Sequence, residues 1–217
     1  MTMTLVLGIG IYYAALLHQR VNEFLPFVAI GLVMWGFVSA SISEGGDAFV
    51  AGGAMIKQSA IPLPVFILRT VVRNAINLAH QVVIIVAVLL WFHVFPGVGA
   101  LWAIPGLVLL MLNLSWMGLL LAMVSTRFRD MPQIVSAVLQ LVFFLSPIFW
   151  TPPPSLANNP MVAANPFYFS IQSIRDPLLH GTMPPQTVYM LIPIAVVGWL
   201  VTILVYNETR RRVVHYL

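Results

Sequence analysis

Apolar stretches long enough to cross a bilayer alternate with short polar breaks along almost the whole chain. Residues 1–17 form an apolar run at the lower limit of the roughly 17–25 residues that a spanning helix needs, and 18–24 break it. Residues 25–42 predict a second span with Trp35 near its middle. Residues 43–60 are polar, hold Glu44, Asp47 and Lys57, and carry the glycine pairs Gly45-Gly46 and Gly52-Gly53. Glycine lowers helix propensity, so a short, bent surface helix is expected there. Residues 64–95 predict a third helix of about 45–50 Å against a hydrocarbon core of about 30 Å. Its first turns, with Arg69 and Arg73, must therefore stand outside the hydrocarbon. Residues 96–99 form a turn, 101–124 a fourth span and 131–150 a fifth.

Residues 151–186 are the longest non-spanning segment and are rich in proline. Within them Asn165-Pro166 opens an amphipathic piece. Phe167, Ile171, Ile174 and Leu178 share one face, and Gly181 is the expected terminator. A piece this apolar is expected to dip back into the membrane or cap an opening, because irregular backbone at that depth must be buried or line a cavity. Residues 187–206 are the sixth span, and Arg210-Arg211-Arg212 follow.

The turn at Arg127–Asp130 has its own helix-start chemistry. Asp130 is placed to accept from the free N–H groups of the next turn. Pro132 suits the first turn, and Gln133 completes a capping-box spacing. Arg127 and Arg129 sit at the electronegative end of the preceding helix.

Composition fits this pattern. The chain of 217 residues is 60% hydrophobic and 7% charged, with mean hydropathy +0.97. Soluble domains carry about 25% charged residues; so little charge cannot cover a water-facing surface. The expected fold is an all-α integral membrane protein with six transmembrane helices. The net charge of +4 then speaks for membrane sidedness and not for nucleic acid. Lys57, Arg69, Arg73, Arg127, Arg129, Arg210, Arg211 and Arg212 fall on one side, and only Arg20 and Arg175 on the other. The positive-inside rule makes the first side, and with it both termini, cytoplasmic. No cleavable signal peptide is expected, since residues 1–17 lack a basic lead and a small-residue cleavage site.

Candidate chemistry is sparse. There is no cysteine, and hence no thiolate ligand, nucleophile or disulfide. All six acidic residues map to loops or helix ends. Ion-coupled carriers keep a carboxylate at mid-membrane, so an ion-coupled flippase is disfavoured. No phosphate loop, HExxH or nucleophile turn is present, which disfavours a membrane enzyme. His80 and His93 stand alone and read as packing or interfacial residues. Two polar stripes remain. Arg69, Arg73, Asn77 and Gln81 repeat every four residues on the third helix. Gln133, Ser136, Gln140, Phe143 or Phe144, Pro147 and Trp150 share a face of the fifth. Such stripes pack helices together in lipid, and the pattern alone favours that reading over a lining for a hydrophilic substrate. In 43–60, the apolar Phe49, Val50, Met55 and Ile56 exceed what a solvated loop needs and favour a docking helix.

Four segments, 25–49, 56–74, 125–152 and 165–181, resemble in order the membrane subunit of ABC-2 type exporters, in particular the permeases that move lipid-linked O-antigen, capsule or teichoic acid. The resemblance implies a homodimer of permeases with two copies of a separate ATPase that holds ATP and magnesium; this chain would carry no cofactor and no catalytic residue. It implies that Glu44, Asp47, Phe49 and Lys57 belong to a coupling helix seated on the ATPase. It implies a channel lined by Trp35, Arg73, Asn77, Gln81, Gln133, Ser136, Gln140, Phe143, Phe144 and Trp150, shifting the stripes toward lining. Arg127, Arg129 and Asp130 would form a cytoplasmic turn. Phe167, Tyr168, Arg175 and Asp176 would belong to a periplasmic gate spanning 151–186. The expected place is the bacterial inner membrane and the expected cargo a lipid-linked polysaccharide, with a smaller lipid or drug as the rival. Family members carry an N-terminal amphipathic helix before the first span, and this sequence begins inside that span.

Overall fold

The computed structural model describes residues 8, 10, 12, 20–58, 61–148, 150 and 165–216, and among them every regular element is helical. The elements are α1 (Val21–Ala51), α2 (Gly53–Gln58), α3 (Pro64–Trp91), a 3₁₀ turn (Gly97–Trp102), α4 (Ala103–Arg127), α5 (Met131–Leu145), α6 (Pro166–His180) and α7 (Pro185–Tyr216). The predicted first span at 1–17 lies outside the described residues, apart from the helical Gly8, Gly10 and Tyr12. Residues 151–164 of the proposed gate lie outside them too.

Among the described residues, four stretches are long and apolar enough to cross a membrane: Val21–Ala51, Pro64–Trp91, Gly97–Arg127 and Pro185–Arg210. Helix α1 is the hub. Most of its span is buried, and it packs against α3, α4, α5 and α6. Ile30, Val33, Met34, Phe37, Val38 and Ile42 of α1 form the main core with Leu110 and Leu114 of α4 and Ile171 and Ile174 of α6. A second core at the far end of α1 joins Phe49, Ile56, Phe66, Ile67, Leu119 and Met123. By contrast α3 and α7 turn Leu68, Ile76, Val83, Leu90, Val197, Leu200 and Leu204 outward, as lipid-facing surfaces should be when the backbone is satisfied within each helix.

Several predicted boundaries move. Helix α1 already begins at Val21, inside the expected break at 18–24, and α3 ends at Trp91 rather than at 95. The second span does not stop at residue 42 with a bent surface helix after it. Helix α1 runs through Gly45-Gly46 to Ala51 and breaks at Gly52. Gly45 is the crossing point with α4: a Cβ there would lie 3.0 Å from the Gly118 Cα. Small residues let helices approach closely in lipid, so these glycines serve packing and leave the helix intact. The fifth helix ends at Leu145 and not at residue 150. Ser146 is extended (φ −87°, ψ 141°) because the ring of Pro147 disfavours helical backbone at the residue before it. The remaining 15 residues reach only about 22 Å, short of the ~30 Å hydrocarbon core. The sixth helix continues past 206 to Tyr216, so the arginine cluster lies on a helix.

Asp130 occupies the N-cap position of α5, but its backbone is already helical (φ −86°, ψ −9°) and its side chain makes no capping hydrogen bond. The predicted cap and capping box are not formed. Helix α6 starts and stops where its sequence indicates. The Asn165 side chain accepts from the Phe167 and Tyr168 N–H groups at 3.0 and 3.3 Å, and Gly181 ends it in the left-handed region at φ 71°.

Candidate functional site

The polar and aromatic residues gather at two cavities and one buried junction. The first cavity, about 720 Å³, lies between α1, α3 and α5. Helix α1 contributes Trp35, Ser39 and Ser43, α3 contributes Gln81, and α5 contributes Ser136, Gln140, Phe143 and Phe144. Trp35 anchors it. Its ring packs against Phe143 (centroids 5.8 Å apart, 45°) and meets Phe167 of α6 edge-on (6.0 Å, 71°). The wall therefore presents aromatic faces beside the amides of Gln81 and Gln140. Each amide both donates and accepts hydrogen bonds.

Of the predicted lining residues, Trp35, Gln81, Ser136, Gln140, Phe143 and Phe144 come together here. Arg73, Asn77, Gln133 and Trp150 are absent from this wall. Asn77 and Gln133 are exposed elsewhere on their helices. Sequence reading missed Ser39 and Ser43. They follow Trp35 at four-residue steps, which is the signal that marks one helix face.

The second cavity, about 550 Å³, lies where α1 passes into α2 and is lined by Glu44, Asp47, Met55, Arg69, Thr70 and Arg73. Glu44 Oε2 accepts from Arg73 Nη2 at 2.6 Å and from Asn74 Nδ2 at 2.8 Å, tying α1 to α3. Arg73 thus belongs with Glu44 and not with the Trp35 wall. Among the predicted coupling residues, Phe49 is fully buried in the second core. It presents no surface to a partner, because period-3.6 geometry turns it inward with Ala48. Glu44 and Lys57 are exposed and Asp47 is half-buried, and Val50 and Met55 are exposed beside them.

The junction is at Arg175. This side chain, expected in the periplasmic gate, is 2% exposed. Its Nη1 donates to the Pro147 carbonyl at 3.0 Å and its Nη2 to the Ile148 carbonyl at 2.8 Å. Its guanidinium lies 3.7 Å over the Phe27 ring. Burial pulls its pKa down to about 10, which leaves it a cation at neutral pH. An unpaired buried ion costs on the order of several kcal/mol. Charge-assisted bonds to two carbonyls and a desolvated cation–π contact of roughly 2 kcal/mol offset that cost. Asp176, the next residue, is half-buried and faces His180 at 4.0 Å. Tyr168 is half-buried with its ring edge-on to Phe169.

Arg127, Arg129 and Asp130 are exposed at the α4–α5 turn, with the Arg127 guanidinium 5.6 Å from the Phe128 ring. Trp116 packs helices. Its Nε1 donates to Asn113 Oδ1 at 3.2 Å, and Gly198 of α7 sits against its ring. Asn113 Nδ2 and Trp199 Nε1 complete this α4–α7 seam by donating to the Leu191 and Leu112 carbonyls. Among the described residues, no three His, Asp or Glu side chains come together as a metal site.

The family model described as ABC-2 type transporter matches residues 1–179. An O-antigen export system permease protein RfbA from Klebsiella pneumoniae is 23% identical over 212 residues, covering 93% of this chain and 80% of that protein. Another from the same species is 22% identical over the same length. A protein of the same name from Myxococcus xanthus is 24% identical over 179 residues, covering 79% of this chain and 67% of its own.

Proposed function

The chain belongs to the ABC-2 type transporter family, a multi-pass membrane protein of the permease kind, and we propose that it moves a lipid-linked polysaccharide across the bacterial inner membrane as the membrane subunit of an ATP-driven exporter. The observation that carries this reading is the Trp35 cavity. A glycan offers hydroxyls to hydrogen-bond and flat apolar ring faces to stack. A wall alternating amides and hydroxyls (Gln81, Gln140, Ser39, Ser136) with aromatic rings (Trp35, Phe143, Phe144) suits both. The O-antigen export names of the relatives support the same cargo class.

In this reading the chain spans the membrane six times with both termini in the cytoplasm. The first span is residues 1–17, and α5 crosses with the help of residues 146–150. A two-fold homodimer binds two ATPase subunits. The α1–α2 corner, with Asp47, Val50, Met55 and Lys57 outward, is the ATPase contact. ATP binding favours one of two permease states through differential contact at that corner, as any ligand-driven change requires. Residues 151–186, with Phe167 touching Trp35, form the exit gate.

A second reading is export of a smaller amphiphile. It is favoured by the cavity volume of about 720 Å³, within the roughly 300–1,000 Å³ of small-molecule sites. Reconstitution of the chain with its ATPase in liposomes separates the two. ATP-dependent transfer of lipid-linked glycan to the far side is the expected result. Transfer of a short lipid or drug with no glycan transfer supports the second reading, and no ATP-dependent transfer of either sinks both.

A further inference from the structure

Arg175 does more than fill its site. Helix α5, which carries five residues of the cavity wall, stops at Leu145 and leaves carbonyls without helical partners. The Pro147 and Ile148 carbonyls just beyond it are taken by the Arg175 fork from α6. The Ser146 hydroxyl, fully buried, accepts from Asn165 Nδ2 at the start of α6 at 2.9 Å. On α1, the guanidinium rests on Phe27 and occupies the space left by Gly31. A methyl group at Gly31 would overlap both the guanidinium and the Ile148 carbonyl oxygen. Phe27, Gly31, Trp35, Ser39 and Ser43 are spaced by four residues, so they form one stripe along α1. The Arg175 seat and the Trp35 cavity are consecutive parts of that stripe.

We infer that Arg175 is a positioning residue: a three-way clamp that fixes the far end of the cavity-lining helix α5 against α1 and α6, so that α5 shifts only when this seat opens. The seat suits a planar fork: two separate guanidinium nitrogens reach the two carbonyls while the flat group stacks on the ring, a geometry that the compact point charge of a lysine ammonium does not reproduce. Gly31 is the complementary half of the device. The clamp's effect on transport rests on the cavity being the path; the clamp itself does not.

The chain has no cysteine, so Ser146→Cys, near-isosteric and fully buried, gives a single reporter thiol in the full-length protein; it weakens the tie to Asn165 equally in every variant, so rates are compared within this background. The measurement is its reaction rate with N-ethylmaleimide in membranes, without ATPase or ATP. Slow labelling is expected in this background. Adding Arg175→Met or Gly31→Ala should raise the rate at least about tenfold. Arg175→Lys should not restore protection, and Phe27→Leu should give an intermediate rate. Arg175→Met combined with Gly31→Ala should label no faster than the faster single variant, since both break one contact. Monodispersity in gel filtration identifies folded variants. If Arg175→Met is not monodisperse, Gly31→Ala and Phe27→Leu carry the test. Unchanged labelling in folded variants overturns the clamp, and full protection by lysine overturns the fork. Faster labelling with unimpaired export would remove the clamp from the transport path while leaving the family reading untouched. Failure of the unmodified chain to export glycan would sink the functional reading and leave the labelling result standing.

Discussion

Single side chains divide here between those that hold helices together and those that face a cavity. Trp35 does both. Trp35→Ala removes a large buried ring and its contacts with Phe143 and Phe167, and is expected to cost about 3–5 kcal/mol of stability. Trp35→Phe should retain most of it, which thermal unfolding in detergent will show. Glu44 is a bridge before it is anything else. Its ion pair with Arg73, 58% and 45% exposed on the two side chains, is worth at most about 1 kcal/mol. The buried Asn74 amide (3% exposed) is the costlier partner to abandon, at about 1–3 kcal/mol. Glu44→Ala should therefore destabilise by more than Glu44→Gln, which keeps an acceptor for Asn74. Equal melting temperatures for the two would remove Asn74 from the account. At this scale the sequence stripes were half legible. Gln81, Ser136 and Gln140 reach the Trp35 wall, whereas Arg73 is drawn to Glu44, which comes from a helix 29 residues earlier. No local spacing reveals such a pairing.

Helices were legible where their ends carry local chemistry. Asn165-Pro166 and Gly181 bound α6 because a side-chain cap and a left-handed glycine act within one turn. Ends set by distant packing were not legible. Gly45 looked like a helix breaker until its contact with Gly118, some 70 residues on, showed it to be a crossing point. The end of α5 is different: it carries a local signal, the Pro147 ring that stops the helix at the preceding residue, which the polar and aromatic stripe running on to Trp150 masked. Gly45→Val should push α1 from α4 and destabilise by about 1–3 kcal/mol. Gly36, which has nothing within 4 Å of an added Cβ, offers the contrast. Gly36→Ala should stabilise α1 by roughly 0.5–1 kcal/mol through helix propensity alone. A Gly45→Val protein as stable as the unmodified chain would show that the α1–α4 crossing is not close-packed, and a Gly36→Ala protein less stable than it would remove the propensity argument.

At the scale of the whole molecule, the proposed topology has both termini in the cytoplasm, and single cysteines will read it. Arg129→Cys, in the exposed α4–α5 turn, should be shielded from an impermeant maleimide added outside intact cells. Val98→Cys, in the exposed 3₁₀ turn at the other ends of α3 and α4, should be labelled. The reverse pattern would invert the topology. The central claim is that the Trp35 cavity lies on the path of the glycan. The most direct measurement places a photoreactive side chain at Gln140, inside that wall, and separately at Asn77, exposed on α3 and outside it. Both proteins are illuminated in proteoliposomes with ATPase, ATP and lipid-linked polysaccharide. A glycan-bearing adduct at 140 that depends on ATP, and none at 77, is the expected result. Adducts at 77 with none at 140 would contradict it.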